Sequence, residues 1–184
     1  MNDSWEKLYS ECSSCTSCEL SKTRTNCVFG AGSKNADLLF VGEAPGENED
    51  KSGTPFVGRA GKLLDEYLCA VGIDRESVYI ANILKCRPPK NRDPLPAEED
   101  TCIGFLERQI SLLKPKLIVC LGRISAKRLI SKDFKISQEH GVWFDLNGTP
   151  ITAVYHPALL LRDPRKKADM MLDMQEIRKR LDEI

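Results

Sequence analysis

The chain has 184 residues, with 27 basic side chains against 27 acidic ones, so its formal charge at neutral pH is zero. That length suits one domain with a core of its own, and the balance excludes nucleic-acid binding by bulk charge, leaving only a local basic patch. No apolar run is long enough to span a bilayer, and Met1-Asn2-Asp3-Ser4-Trp5 lacks the basic start and apolar middle of a signal peptide.

The expectation is a cytoplasmic monomer with no membrane contact. Eight cysteines are many for such a chain. In a reducing compartment they are not expected to be disulfides, so metal or cluster ligation leads for some of them.

Asp3 or Ser4 is placed to cap a first helix bearing Trp5, Leu8 and Tyr9. Cys12-Ser13-Ser14-Cys15-Thr16-Ser17-Cys18 follows, two overlapping C-x2-C units that let a tight turn aim two thiolates at one centre. A redox pair or incidental cysteines are the alternatives. The apolar run of 36–42 reads as a buried strand. It ends in the loop Gly42-Glu43-Ala44-Pro45-Gly46, with a polar, acidic tail before Phe56.

Ala60, Leu63, Leu64, Tyr67, Leu68 and Val71 form one helical stripe, closed by Gly72. A second strand at 77–81 runs to Asn82-Ile83-Leu84, then to a loop with Lys85, Arg87, Lys90 and Arg92, in which Pro88 and Pro89 oppose regular structure. A helix from about Pro96 presents Ile103, Leu106, Ile110 and Leu113, and Pro115 stops it. A strand at 116–121 ends at Gly122, and a helix is expected over 124–131. Asn147-Gly148 signals a hairpin between 142–146 and 149–155. The last strand ends at His156, and Met170, Met174, Ile177 and Leu181 mark a closing helix. Strand–helix alternation of this kind predicts a three-layer α/β/α domain around a mainly parallel, four-stranded sheet.

In a parallel sheet the ends of all four strands share one edge, where α/β ligand sites form. Gly42, Asn82, Gly122 and His156 stand there. Alone, an Asn at a strand end is usually a turn residue and a His usually structural; their coincidence raises the odds of a site. An aromatic face such as Phe56 stacks on a flat ring. An amide such as Asn82 offers a donor beside an acceptor, matching O4 and N3–H of uracil and opposing cytosine. An imidazole such as His156 can donate to a carbonyl oxygen that gains charge as a bond breaks. These parts suit a flipped-out base.

Several motifs occur together: Cys15-x2-Cys18-x-Leu20, Arg24-Thr25, Val28-Phe29-Gly30, Gly42-Glu43-Ala44-Pro45-Gly46, Pro55-Phe56-Val57-Gly58-Arg59-Ala60-Gly61, Asn82-Ile83-Leu84-Lys85-Cys86-Arg87-Pro88-Pro89 and His156-Pro157-Ala158-x-Leu160-Leu161. On these the chain closely resembles the family 4 uracil-DNA glycosylases, the iron–sulfur members of the uracil-DNA glycosylase superfamily, from Cys15 to about Arg162.

The resemblance implies that Phe56 stacks on extruded uracil and Asn82 reads its Watson–Crick edge. It implies that His156 stabilises the leaving oxygen and that Gly42, Glu43 and Ala44 shape the pocket. Leu159, Leu160 or Leu161 would wedge the vacated stack. Arg162, Arg165, Lys166 and Lys167, with Lys85, Arg87, Lys90 and Arg92, would meet phosphates, a solvated surface being the plain alternative. Better-known relatives carry a water-positioning Asp where this chain has Ala44. A dissociative reaction needs little base help, and Glu43 is the candidate to orient water or stabilise the cation, with Glu49 and Asp50 further back.

The same resemblance places a [4Fe–4S] cluster on Cys15, Cys18, Cys86 and Cys102, tying 15–18 to 86–102 within one domain over 1–184. Four sulfurs would also suit zinc. Cys12 and Cys27 are extras, while Cys69 and Cys120 read as thiols of a helix and a strand. The implied partner is uracil-containing DNA, single- or double-stranded. No terminal tail marks recruitment by a sliding clamp. No lysine nucleophile is evident, so strand cleavage is not expected. The inserted basic loop by which a neighbouring branch traps its product is missing after Gly61. A non-catalytic iron–sulfur DNA-binding or damage-sensing module is the competing reading, and intact Phe56, Asn82 and His156 argue against it.

Overall fold

The computed structural model describes residues 4–184. Ser4 caps the first helix, α1 (Trp5–Ser13), its hydroxyl accepting the Lys7 N–H at 3.2 Å; Asp3, the other expected cap, lies outside the described residues. A short strand, β1 (Ala31–Gly32), precedes β2 (Leu38–Gly42). The acidic stretch after the β2 loop is helical rather than irregular. It forms α2 (Glu47–Ser52), whose first-turn carboxylates Glu47, Glu49 and Asp50 lie at the positive end of the helix.

Then come α3 (Arg59–Ala70), β3 (Tyr79–Asn82) and α4 (Pro96–Leu113). They are followed by β4 (Leu117–Leu121), α5 (Arg123–Leu129) and α6 (Ile136–Glu139). The chain ends in β5 (Trp143–Leu146), β6 (Thr149–Val154), α7 (Pro157–Arg162) and α8 (Lys167–Asp182).

Among the described residues six strands form one sheet, in the order β1-β3-β2-β4-β6-β5. The expected four-stranded sheet is its parallel centre, since β3, β2, β4 and β6 pair in parallel. The expectation fell short by two antiparallel edge strands, β1 against β3 and β5 against β6. β5 belongs to the anticipated hairpin, whose turn residues Asn147 and Gly148 have φ of 52° and 89°. β1 has two residues, too few for any periodic signal.

All of Leu38-Leu39-Phe40-Val41-Gly42 is buried, because both sheet faces are covered. Leu38 and Phe40 face Leu64, Leu68, Met170 and Met174 of α3 and α8. Leu39 and Val41 face Ile103, Leu106 and Ala126 of α4 and α5. This is the three-layer arrangement. β2 sits between β3 and β4, so the chain runs from β2 to β3 on one side and then crosses to β4 on the other, which opens a crevice at the strand C-termini.

Candidate active site

The crevice is a cavity of about 690 Å3, lined among others by Glu43, Ala44, Glu49, Phe56, Asn82 and His156. Gly42 lies beneath it. A Cβ there would come 2.3 Å from Asn82 Oδ1 and 2.7 Å from the Phe56 ring, so only hydrogen lets both groups approach the β2 end. Gly42 and Asn82 are register partners in adjacent parallel strands. Phe56 is 7% exposed and adopts φ of 53°, a left-handed conformation rare for a large side chain. Two neighbours hold it there. Arg75 donates to the Pro55 and Phe56 carbonyls at 3.0 and 3.4 Å, and Glu49 Oε1 accepts the Val57 and Gly58 N–H groups at 3.0 and 2.9 Å.

Asn82 is buried, and its Oδ1 has no hydrogen-bond partner among the described residues. A buried acceptor left unpaired costs free energy of about 1–3 kcal/mol unless something arrives to pair with it. Phe56 and His156 rings stand 5.7 Å apart at a 35° tilt, near Asn82 across Gly42. A flat ring with an N–H donor on one edge suits that arrangement.

His156 precedes α7, and its Nδ1 accepts the Ala158 N–H at 3.1 Å. The proton of the neutral ring therefore sits on Nε2. Desolvation, then the positive Arg162, push its pKa down to about 4, with Glu49 opposing. His156 is thus a neutral donor at physiological pH. Gly122, with φ of 95°, makes room for it, because a Cβ would lie 2.8 Å from His156 Cβ. Burial pushes the Glu43 carboxyl up to about 7; Asp93 adds to this and Arg123 opposes it. Glu43 can therefore hold or release a proton near neutrality.

The segment after His156 forms the helix α7, and the rim differs from expectation in two places. Leu160 is 0% exposed and packs into the core against α3 and α8, so it cannot wedge DNA. Leu159 lines the cavity, and Leu161 is half-buried. Lys85 is likewise no phosphate ligand. It is buried, and its Nζ donates to the Asn82 carbonyl at 2.9 Å and Gln109 Oε1 at 2.6 Å. Arg162 is exposed at the cavity edge. Arg87 is half-buried and donates to Asn91 Oδ1 at 2.7 Å, while Arg92 makes a two-pronged pair with Glu98.

Two cysteines are buried in one corner behind the cavity, with a third packed against them and a fourth nearby on the chain. Cys86 and Cys102 are buried with Leu20 and Leu84, and Cys18 and Ala44 pack against them. Cys15 is half-buried on the chain just after α1. Arg24 spans the corner. It donates to Cys86 Sγ at 3.0 Å and to the Cys15 carbonyl at 3.0 Å. The Lys85 backbone N–H donates to Cys102 Sγ at 3.3 Å. Burial pushes the Cys86 thiol up to about 11, with Arg24 opposing, and raises Cys102, with the Lys85 N–H opposing. Buried thiols with N–H donors already aimed at their sulfurs suit a cationic iron–sulfur group that would hold them as thiolates. Among the described residues, no group of three or more His, Cys, Asp or Glu side chains is arranged to hold a metal ion.

Residues 29–179 match the model of the uracil DNA glycosylase superfamily. The chain is 44% identical over 183 residues to a type-4 uracil-DNA glycosylase of Archaeoglobus fulgidus, covering 95% of this chain and 92% of that one. It is 47% identical over 151 residues to one from Thermotoga maritima, covering 81% and 79%. The chain belongs to the uracil-DNA glycosylase superfamily, in its type-4 group. A type-5 uracil-DNA glycosylase of Thermus thermophilus is 31% identical over 150 residues, covering 70% of this chain and 68% of that one.

Within this glycosylase fold, two contributors were under-read in the sequence. Glu49 seemed distant from the chemistry, yet its carboxylate accepts the Val57 and Gly58 N–H groups just before α3 and fixes the turn carrying Phe56. Its spacing to Gly58 gave no local signal. Arg24 appeared only as part of a motif, and its link to Cys86 crosses 62 residues.

Proposed function

We propose that this uracil-DNA glycosylase hydrolyses the N-glycosidic bond of deoxyuridine in DNA and leaves an abasic site. The observation that carries the reading is the unpartnered Asn82 Oδ1 at the cavity. Phe56 stacks on the extruded base. Asn82 Oδ1 accepts uracil N3–H while its amide N–H donates to O4, and cytosine would set a lone pair against Oδ1. As the bond to C1′ lengthens, electrons move to the uracil O2 and the His156 Nε2–H donates to that oxygen. A neutral imidazole does this without surrendering a charge at the start. The Glu43 carboxylate stabilises the oxocarbenium-like sugar and orients the water that attacks C1′, in the absence of a carboxylate at Ala44.

Among the described residues no lysine lines the cavity, so the reading is of a glycosylase that leaves the product strand intact. Leu159 or Leu161 fills the vacated stack, and Arg162 and Arg87 meet phosphates of single- or double-stranded DNA. The chain works as one domain and as a monomer, in the cytoplasm with the chromosome. Among the described residues, no helix is long and apolar enough to cross a membrane.

Cys15, Cys18, Cys86 and Cys102 would hold a [4Fe–4S] cluster, which would supply a cross-link among four thiolates. Arg24 donates to Cys86 Sγ and the Lys85 N–H to Cys102 Sγ, and the bound group would fasten the segment 15–18 to the loop after β3. Such a protein is brown, with absorbance at roughly 400 nm; a colourless preparation with one zinc per chain overturns the cluster.

The deciding assay is release of uracil from a uracil-containing oligonucleotide, with a cytosine oligonucleotide as control. Free uracil and an alkali-labile site are the expected products. Tight DNA binding without release from any uracil substrate would favour the damage-sensing module instead.

A further inference from the structure

Beside the cysteine corner lies a thiol pair that the proposed cluster does not use. Cys12 sits on the inward face of α1, one turn after Leu8, and is 1% exposed. Cys27 is half-buried on the segment leading to β1. Their sulfurs are 3.3 Å apart across 15 residues of sequence.

Each is fixed independently of the other. Cys12 packs with Leu8 and Phe29. Around Cys27, the Asn26 amide donates to the Asp50 and Lys51 carbonyls at 2.8 and 3.0 Å, and the Val28 N–H donates to the Lys85 carbonyl at 2.8 Å. A disulfide bond of about 2.05 Å needs the sulfurs to close by roughly 1.3 Å.

We propose that Cys12 and Cys27 form a reversible disulfide, which closes residues 12–27 into a loop carrying Cys15 and Cys18. The benefit to the cluster rests on the reading of Cys15 and Cys18 as ligands; the disulfide itself does not.

The two thiols have distinct roles. Cys27 is lowered to about 7, chiefly by the hydrogen bond from Cys12, with Arg24 and Lys85 adding to this against burial. Cys12 is raised by the same hydrogen bond and by burial. Cys27 is also the more accessible. Its thiolate attacks one sulfur of a low-molecular-weight disulfide, forming a mixed disulfide and expelling one thiolate. The Cys12 thiol then loses its proton, attacks Cys27 Sγ and expels the second thiolate. Two protein thiols are oxidised to one disulfide, and the small disulfide is reduced to two thiols. In a reduced thiol pool the pair stays open, so the lock closes only when that pool is oxidised.

The test uses the full-length, iron-loaded protein with oxidised glutathione, followed by iodoacetamide and digestion without reductant. The expected product is a cross-linked peptide joining residues 12 and 27, which reductant reopens. Cys12→Ser should trap Cys27 as a glutathione adduct. If that core variant misfolds, Cys27→Ser, at a half-exposed position, should abolish the cross-link and keep uracil release within twofold of the parent.

Iron loss to a chelator, followed at roughly 400 nm, should slow about tenfold in the oxidised protein and show no oxidation dependence in Cys27→Ser. Recovery of both cysteines as separate alkylated or glutathione-bound residues overturns the disulfide, as does joining of Cys12 to another cysteine. Cross-linking with unchanged iron loss overturns the lock on the ligand loop. A cross-link in a colourless protein leaves the disulfide standing and removes the cluster reading.

Discussion

Asn82 and Cys86 stand four residues apart at the end of β3 and face unlike surroundings. Asn82 enters a cavity where every neighbour is placed by backbone: Phe56 by its turn, His156 by the Ala158 N–H, and Gly42 by strand register. Cys86 enters a buried corner where thiols are raised by burial and only partly offset by donors. The pocket contains a buried acceptor, Asn82 Oδ1, that has no partner among the described residues and that substrate would satisfy. The corner holds neutral thiols that the proposed cluster would take up as thiolates. Damage to the pocket should therefore slow the reaction at little cost in stability, while damage to the corner should do the reverse.

The largest expected effect is at Asn82. Asn82→Ala should lower single-turnover uracil release by about 10^3-fold or more, with Tm unchanged or raised, because the orphan Oδ1 is removed. A marked drop in Tm would erase the contrast between the two regions.

Glu43 sharpens the pocket side. With its pKa near 7, the rate should rise with pH through that value if the carboxylate acts. Glu43→Gln should flatten the rise and lower the single-turnover rate by about 10^2-fold, with a smaller loss in product uracil binding. Equal rates in mutant and parent would remove Glu43 from the mechanism. The folded-state pKa lies above the ordinary 4.5, so the folded chain binds the Glu43 proton more tightly than the unfolded one. The stability this provides is full below 4.5 and is lost as pH rises to about 7. Glu43→Gln should accordingly raise Tm above neutrality and leave it unchanged in acid.

Cys86→Ala tests the corner. The preparation should lose its colour, and Tm should fall by about 10 °C, comparable to losing a structural cross-link. Uracil release per folded molecule should change far less. The smallest effect is at the rim: Arg162→Ala should weaken DNA binding a few-fold and reduce the slope of log affinity against log salt by about 0.9.

The parallel strands were legible because each is a short apolar run ending in a polar or glycine signal. The Asn147-Gly148 hairpin was legible because its turn demands those residues. β1 was not legible, since two residues paired by a neighbour's edge carry no period of their own. α2 was hidden by a composition that reads equally as a polar loop. Leu159, Leu160 and Leu161 looked interchangeable, and only the helical phase of α7 turned Leu160 into the core. Lys85 looked like one more cation in a basic loop until β3 carried it inward to Gln109.

The sequence by itself determined the parallel centre of the sheet, the strand-end positions of Gly42, Asn82, Gly122 and His156, and the spacing of the cysteines, because these depend on local pattern. Only tertiary structure decided which nitrogen of His156 is free to donate, that Glu43 titrates near neutrality and that Glu49 holds the Phe56 turn. It alone brought Cys12 to Cys27. Those properties arise from burial and from contacts between residues distant along the chain, which no local pattern records.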